Sequence, residues 1–204
     1  MDIYTEPEGD PNTLANLGPL RALAGVWEGK RGVDVHPIAD GPETDLFVER
    51  YEAQPIDFQT NGPQLLYGLR YHSHIRKTGD VAMFHEQVGY WLWEPATHTV
   101  TMTLAIPRGQ VLLASGLSDV DARTFEVRST RGSMTYGIAS SPFLDDNFTT
   151  TDFRMSVTAN DDGSWSYDET TTLKLPDRDS GFAHTDRNTL FLVEEPAPNP
   201  LALA

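Results

Sequence analysis

From Gly25 onward apolar and polar residues alternate at a spacing of two, in short runs rich in Thr, Val, Tyr and Phe. That period puts successive side chains on opposite faces of a strand, so each run predicts a half-buried β-strand. Ten runs are of this kind: Gly25–Val35, Thr44–Ala53, Gln64–Arg76, Val81–Trp93, Thr99–Ile106, Gln110–Leu117, Thr124–Thr130, Phe148–Thr158, Ser164–Lys174 and Thr185–Glu194. Short turn signals separate many of them, among them Lys77–Asp80, Glu94–Thr97, Pro107–Gly109, Ser118–Asp121 and Asn160–Gly163. Short links favour an all-β, antiparallel up-and-down order, because crossovers need longer connections. Closing the sheet into a barrel of about ten strands removes its free edges and leaves room for one small ligand.

Helical periodicity is confined to Asn12–Ala24, where Leu14, Leu17, Leu20 and Leu23 recur three apart until a Gly18-Pro19 pair interrupts them. A short N-terminal helix packed on the barrel is expected there. Asp34–Glu43 and Gly132–Asn147 read as long loops, the latter able to cover a barrel mouth. The Pro-rich tail Glu195–Ala204 reads as frayed. No repeat or linker divides the chain, so residues 1–204 form one domain with its ordered core over about 14–194.

Charge and composition then narrow the function. Fifteen Lys and Arg against 30 Asp and Glu give a net charge of −15, which argues against binding nucleic-acid backbone or an anionic membrane. The absence of cysteine excludes disulfides, thiolate metal sites and a Cys nucleophile. No signal peptide and no apolar run long enough to span a bilayer are present, so a cytoplasmic protein is expected. A homodimer stays open.

Six histidines are the main chemical resource. His36, before Pro37, and His98, in a turn, are expected to be solvated. His72 and His74 share one face of a strand and could share a metal, but Arg70 and Arg76 lie on that face too, repel a cation and mark it as outward. His85 shares its face with Gln87, Gly89, Trp91 and Trp93, and alternation alone does not say whether that face is the lumen. His184 opens the last strand, with Asp186 placed to orient its ring. No G-x-S-x-G elbow, P-loop or H-E-x-x-H is present. The residues by themselves specify a ligand-binding barrel with one or two available histidines.

Leu23-Ala-Gly-Val-Trp-Glu-Gly29, with its G-x-W core, resembles the opening of the nitrobindin-like heme-binding barrels, relatives of the fatty-acid-binding proteins within the calycins. Met83-Phe-His85 followed by Gly89-Tyr-Trp91 is similar to that family's M-H-x-E-x-G-[YF] strand. Thr103–Gly109 with Val111 and Gly116 resembles its A-x-P-x-G-x-V block, and Ala183-His184 falls where the family keeps a C-terminal histidine. Here Glu86 follows His85 directly where the family has a one-residue gap, and Ala183 stands where it usually has Pro.

The resemblance implies heme b, with His184 as axial ligand of the iron and His85 on the distal side without ligating. It also implies nitric-oxide binding and isomerisation of peroxynitrite to nitrate, so that a peroxynitrite isomerase is one expected activity. By analogy with lipocalins, Arg187 would cap Trp27 through a cation–π contact. Two other readings stand beside it. A carrier of a fatty acid or other apolar small molecule would use a lumenal Arg, with Arg70, Arg128 and Arg154 as candidates. A metal enzyme would use His72, His74 and His85.

Overall fold

The computed structural model describes residues 2–176 and 178–204. Eleven strands follow one another: β1 (Gly25–Ile38), β2 (Gly41–Asn61), β3 (Gln64–Lys77), β4 (Met83–Glu94), β5 (Thr99–Ile106), β6 (Gln110–Leu117), β7 (Thr124–Thr130), β8 (Ile138–Ser140), β9 (Thr149–Ala159), β10 (Trp165–Lys174) and β11 (Phe182–Glu194). The antiparallel ladder runs β5-β4-β3-β2-β1-β11-β10-β9-β7-β6, and pairing of β5 with β6 closes a ten-stranded barrel. The short β8 is an extra strand on the edge of β6, at Gln110–Leu112, while β7 reaches β6 at Ser115.

Alternation succeeds as a guide because each strand has one wet and one dry face. In β4, Trp91 and Trp93 are fully buried while Val88 and Tyr90 are exposed, which makes the face of His85 and Gln87 the lumenal one. In β1 the phase changes once. Gly29 pairs with Glu49 and Gly32 with Phe47, so Lys30 and Arg31 together face a single residue, Val48. This β-bulge switches the inward set from Trp27 and Gly29 to Gly32, Asp34 and His36.

Three expectations need correction. Asp34–Glu43 is not a loop: β1 continues to Ile38 and turns over Ala39 and Asp40 into β2. Beyond Val35, β1 pairs only with β2, and a strand with one neighbour tolerates Pro37. Gly132–Asn147 is partly ordered, containing β8 and a one-turn helix, Pro142–Asn147, with proline in its first turn. The tail is not frayed. Asn199 is buried, accepts from the Thr13 amide (3.2 Å) and donates to the Asp57 carboxylate (2.7 Å) and the Pro11 carbonyl (2.8 Å), and a 3-10 turn follows over Pro200–Leu203.

The N-terminal helix forms as two pieces, a turn at Thr13–Asn16 and a 3-10 turn at Gly18–Leu23. Gly18 joins them with φ of 53°, and a Cβ there would sit 2.7 Å from the Trp93 indole. Leu17, Leu20 and Leu23 drive into one end of the barrel and are fully buried. Beneath them lies an aromatic stack. Trp27 meets Trp165 edge-on (6.3 Å), Trp165 meets Tyr51 (5.1 Å), Tyr51 stacks on Tyr71 (5.3 Å), and the Trp91 indole donates to the Tyr51 hydroxyl (2.7 Å). Each such pair adds about 0.5–1.5 kcal/mol beyond the area it buries. One end of the barrel is therefore solid.

Asn199→Ala removes three hydrogen bonds from a buried position and is expected to destabilise the fold by about 1–3 kcal/mol, read from the midpoint of urea unfolding. A change within error would mean the tail contributes nothing to stability.

Candidate functional site

At the opposite end the interior is not filled. A cavity of about 430 Å³ opens there, within the range of small-molecule and cofactor pockets. Its floor is the last layer of the aromatic stack, Tyr51 and Tyr167. Apolar walls come from Ile75, Phe84, Leu104, Ile106, Leu112 and Phe153, and the helix Pro142–Asn147 brings Phe143 and Leu144 to the rim beside Phe148. The residues expected to cover the mouth thus line it in part.

One wall is polar. β1, β2, β10 and β11 turn Asp34, Glu49, Glu169 and Asp186 toward the cavity together with His36 and His184. Asp34 is 1% exposed and divides its two oxygens: His184 Nε2 donates to Oδ1 (2.8 Å) and His36 Nδ1 to Oδ2 (2.9 Å). Burial pushes the Asp34 carboxyl up, but the hydrogen bond and charge of His184, with those of His36, outweigh it and hold it below the usual carboxylate range. Burial likewise pushes the His184 imidazole down, and Asp34 with Asp186 reverses this and raises it. Donation from Nε2 to Asp34 leaves Nδ1 as the nitrogen with a lone pair once the ring is neutral.

The other acids of this wall behave differently. Glu49 accepts from Ser73 (2.8 Å), Tyr167 (2.9 Å) and Asn188 (3.0 Å), yet burial still raises its carboxyl. Burial, and then the charge of Glu49, pushes Glu169 up to about 8. Burial, and then the charge of Glu169, does the same to Asp186. Both carboxyls are thus pushed up, and the pair titrates as a unit. Of the two carboxylates touching His184, Asp34 makes the shorter contact, 2.8 Å against 3.4 Å to Asp186.

His85 faces the same cavity and is held at both nitrogens. The Arg108 guanidinium donates to Nδ1 (2.9 Å) and Nε2 donates to Gln87 (3.2 Å). Burial lowers its pKa, and the charge of Arg108 adds to this. His85 is neutral with its lone pair already engaged. Arg108, missed in the sequence although it lies in the Thr103–Gly109 block, is the one Lys or Arg lining the cavity among the described residues.

The other expected residues sit elsewhere. His36 is not solvated but joins the site, its ring 6.5 Å from that of His184. Arg187 is exposed opposite Val33 and Asp168 and makes no cation–π contact with Trp27, whose indole donates instead to the Leu23 carbonyl (2.8 Å). Among the described residues the cations over aromatic rings are Lys77 on Phe84 and Arg178 on Phe182. Arg70, Arg128 and Arg154 are exposed on the outer wall, so none can meet a carboxylate ligand inside. His72 and His74 are outward, as their arginine neighbours implied, and His98 is an exposed turn residue. Metal-ligating atoms cluster at Asp34, His184 and Asp186, and again at Asp34, His36 and Asp45, where Lys77 already pairs with Asp45.

A closed antiparallel barrel, plugged at one end and carrying a histidine–carboxylate cavity at the other, defines a small-molecule-binding barrel. The chain belongs to the THAP4-like, heme-binding beta-barrel domain family, whose model matches residues 16–191. The fold is shared with the crystal structure of Rv2717c from M. tuberculosis, at 21% identity and a TM-score of 0.59 over 91% of this chain and 99% of that one. No curated protein matches. The resemblance to nitrobindin-like heme-binding barrels is borne out for family and fold. Among the described residues no helix is long and apolar enough to cross a membrane.

Because Glu169 and Asp186 hold protons in the folded state at pH values where an unfolded chain has released them, stability is expected to fall as pH rises from the usual carboxylate range toward about 8. The slope is bounded by about 1.4 kcal/mol per pH unit for each proton retained. Glu169→Gln should flatten it in thermal unfolding between pH 5 and about 8. An unchanged slope in that variant would refute the assignment.

Proposed function

We propose that this protein binds heme b in the open-end cavity, with His184 as axial ligand of the iron, and that the loaded protein acts on nitrogen-oxide species, binding nitric oxide and isomerising peroxynitrite to nitrate. The observation that carries the reading is His184 on the wall of a ligand-sized cavity, its ring fixed by the buried Asp34. A carboxylate on one imidazole nitrogen orients the ring and raises the basicity of the other, the usual support for a metal-bound histidine. The family supports heme. The nitrogen-oxide chemistry rests on the sequence resemblance.

The remaining residues fit the group. Ile75, Phe84, Ile106, Leu144 and Phe148 offer apolar surface for a flat macrocycle, and Arg108 offers a cation for a propionate or an anionic substrate. His85, with both nitrogens engaged, would stand beside the bound group without ligating its iron, which supports a distal role. Heme would supply an iron able to bind a small ligand, while the chain would set access to it and its surroundings, with His184 holding the iron. The candidate lumenal arginines of a carrier, Arg70, Arg128 and Arg154, are all outside.

Hemin titration of the apoprotein tests the reading. A saturable one-to-one Soret band is expected, lost or shifted in His184→Ala and retained in His85→Ala. Since the ligating nitrogen must be neutral, apparent affinity should rise with pH until the raised pKa of His184 is passed. Absence of a saturable band sinks the heme assignment. If hemin binds, peroxynitrite decay followed by stopped flow should be accelerated with excess nitrate as product. A loaded protein no faster than free hemin would remove the isomerase and leave heme binding intact.

A further inference from the structure

We propose that the outer wall of the barrel carries a metal site of its own, independent of the cavity, in which His72, His74 and Glu86 hold a divalent ion of the zinc class.

The placement follows from strand phase. In β3, Leu69, Tyr71 and Ser73 are buried, so His72 and His74 point outward. In β4, His85 and Gln87 line the lumen, so Glu86 points outward. The register sets His74 directly opposite Glu86 and His72 opposite Val88, one step along the same face. Two imidazoles and a carboxylate thus converge on one patch of two paired strands.

The contacts are already close. His72 Nε2 lies 2.7 Å from Glu86 Oε1, His74 Nε2 lies 3.1 Å from His72 Nδ1, and the two rings are 3.8 Å apart. One ligand atom from each residue falls within 4.8 Å of the others, so small side-chain rotations suffice for metal bonds of about 2.0–2.2 Å. Without an ion, two neighbouring imidazoles must share a single proton between facing nitrogens. An ion between them would take a lone pair from each neutral ring, the N–H proton of the donating ring passing to that ring's other nitrogen.

Surrounding charge permits it. Arg50, opposite His74, is turned toward Glu28 (3.8 Å), while Glu52 lies opposite His72 and adds its negative charge to that of Glu86. Arg70 and Arg76 lie at the two ends of the patch and are exposed. Two nitrogens and one oxygen suit a borderline ion such as Zn²⁺, with water completing the coordination. Such an ion would staple β3 to β4, whose inner faces carry Ser73, Ile75, His85 and Gln87 into the cavity.

The test is calorimetric titration of the full, EDTA-treated chain with Zn²⁺, repeated with Co²⁺ followed by visible absorption. Wild type and His184→Ala should each bind one ion at this site, because His184 belongs to the cavity. His72→Ala and His74→Ala, both at exposed-face positions, should weaken binding by at least the roughly 10- to 100-fold that loss of even an outer-shell partner costs. Zn²⁺ should also raise the melting temperature of wild type but not of the doubly substituted chain. No saturable binding overturns the proposal. So does binding that survives both histidine substitutions, or that disappears in His184→Ala. None of these outcomes depends on whether the cavity takes heme.

Discussion

A barrel of ten strands encloses more volume than one layer of side chains can fill, and this constraint organises the molecule. The chain spends its largest side chains on one end. Three leucines from the N-terminal turns and the stack of Trp27, Trp165, Tyr51, Tyr71 and Trp91 pack it solid. The volume left at the other end is the cavity. Binding space and hydrophobic core are thus two halves of one interior, divided at the layer where Tyr51 and Tyr167 serve both.

Within the cavity the decisive contrast is between a carboxylate held by two imidazoles and carboxylates that chiefly face one another. Asp34 is buried but meets two imidazoles, and stays ionised. Glu169 and Asp186 lie opposite each other on β10 and β11, and desolvation with the charge of neighbouring carboxylates pushes both up, Asp186 despite its contact with His184. The wall below His184 is consequently less charged than its composition implies. That matters for an apolar macrocycle, which would meet acids that ionise reluctantly and aromatic edges there, with Asp34 fixed behind the histidine. On the far side, Arg108 and a neutral His85 give the mouth the opposite polarity.

Much of this was legible in the sequence. Strand positions followed from alternation, and β5, β6 and β7 were bounded as they stand in the structure. His184 could be singled out because Asp186 shares its face. In β10 the inward series Trp165, Tyr167, Glu169, Thr171 and Leu173 places an acid in line with buried aromatics, a signal present in the residues but easily read as a solvated charge. Other features were hidden for a physical reason. Asp34 and His36 could not be assigned inward because the bulge at Lys30 and Arg31 breaks the period that connects them to Trp27, and Pro37 imitated the end of a strand. The anchoring of Asn199 was invisible because its partners, Thr13 and Asp57, lie 186 and 142 residues away in the chain.

The bulge has an evolutionary side. Because side chains alternate with period two, one supernumerary residue in β1 acts as a phase shift for everything after it. With it, Asp34 and His36 look inward and Val33 and Val35 look out; without it, the same sequence would offer valines to the cavity and its charged residues to water. A single-codon insertion or deletion at a solvent-facing point, far from any ligand, is therefore enough to exchange an acidic, histidine-bearing lumen for a greasy one. Related barrels could diverge in what they hold by a change of length while keeping both their fold and nearly all their residues.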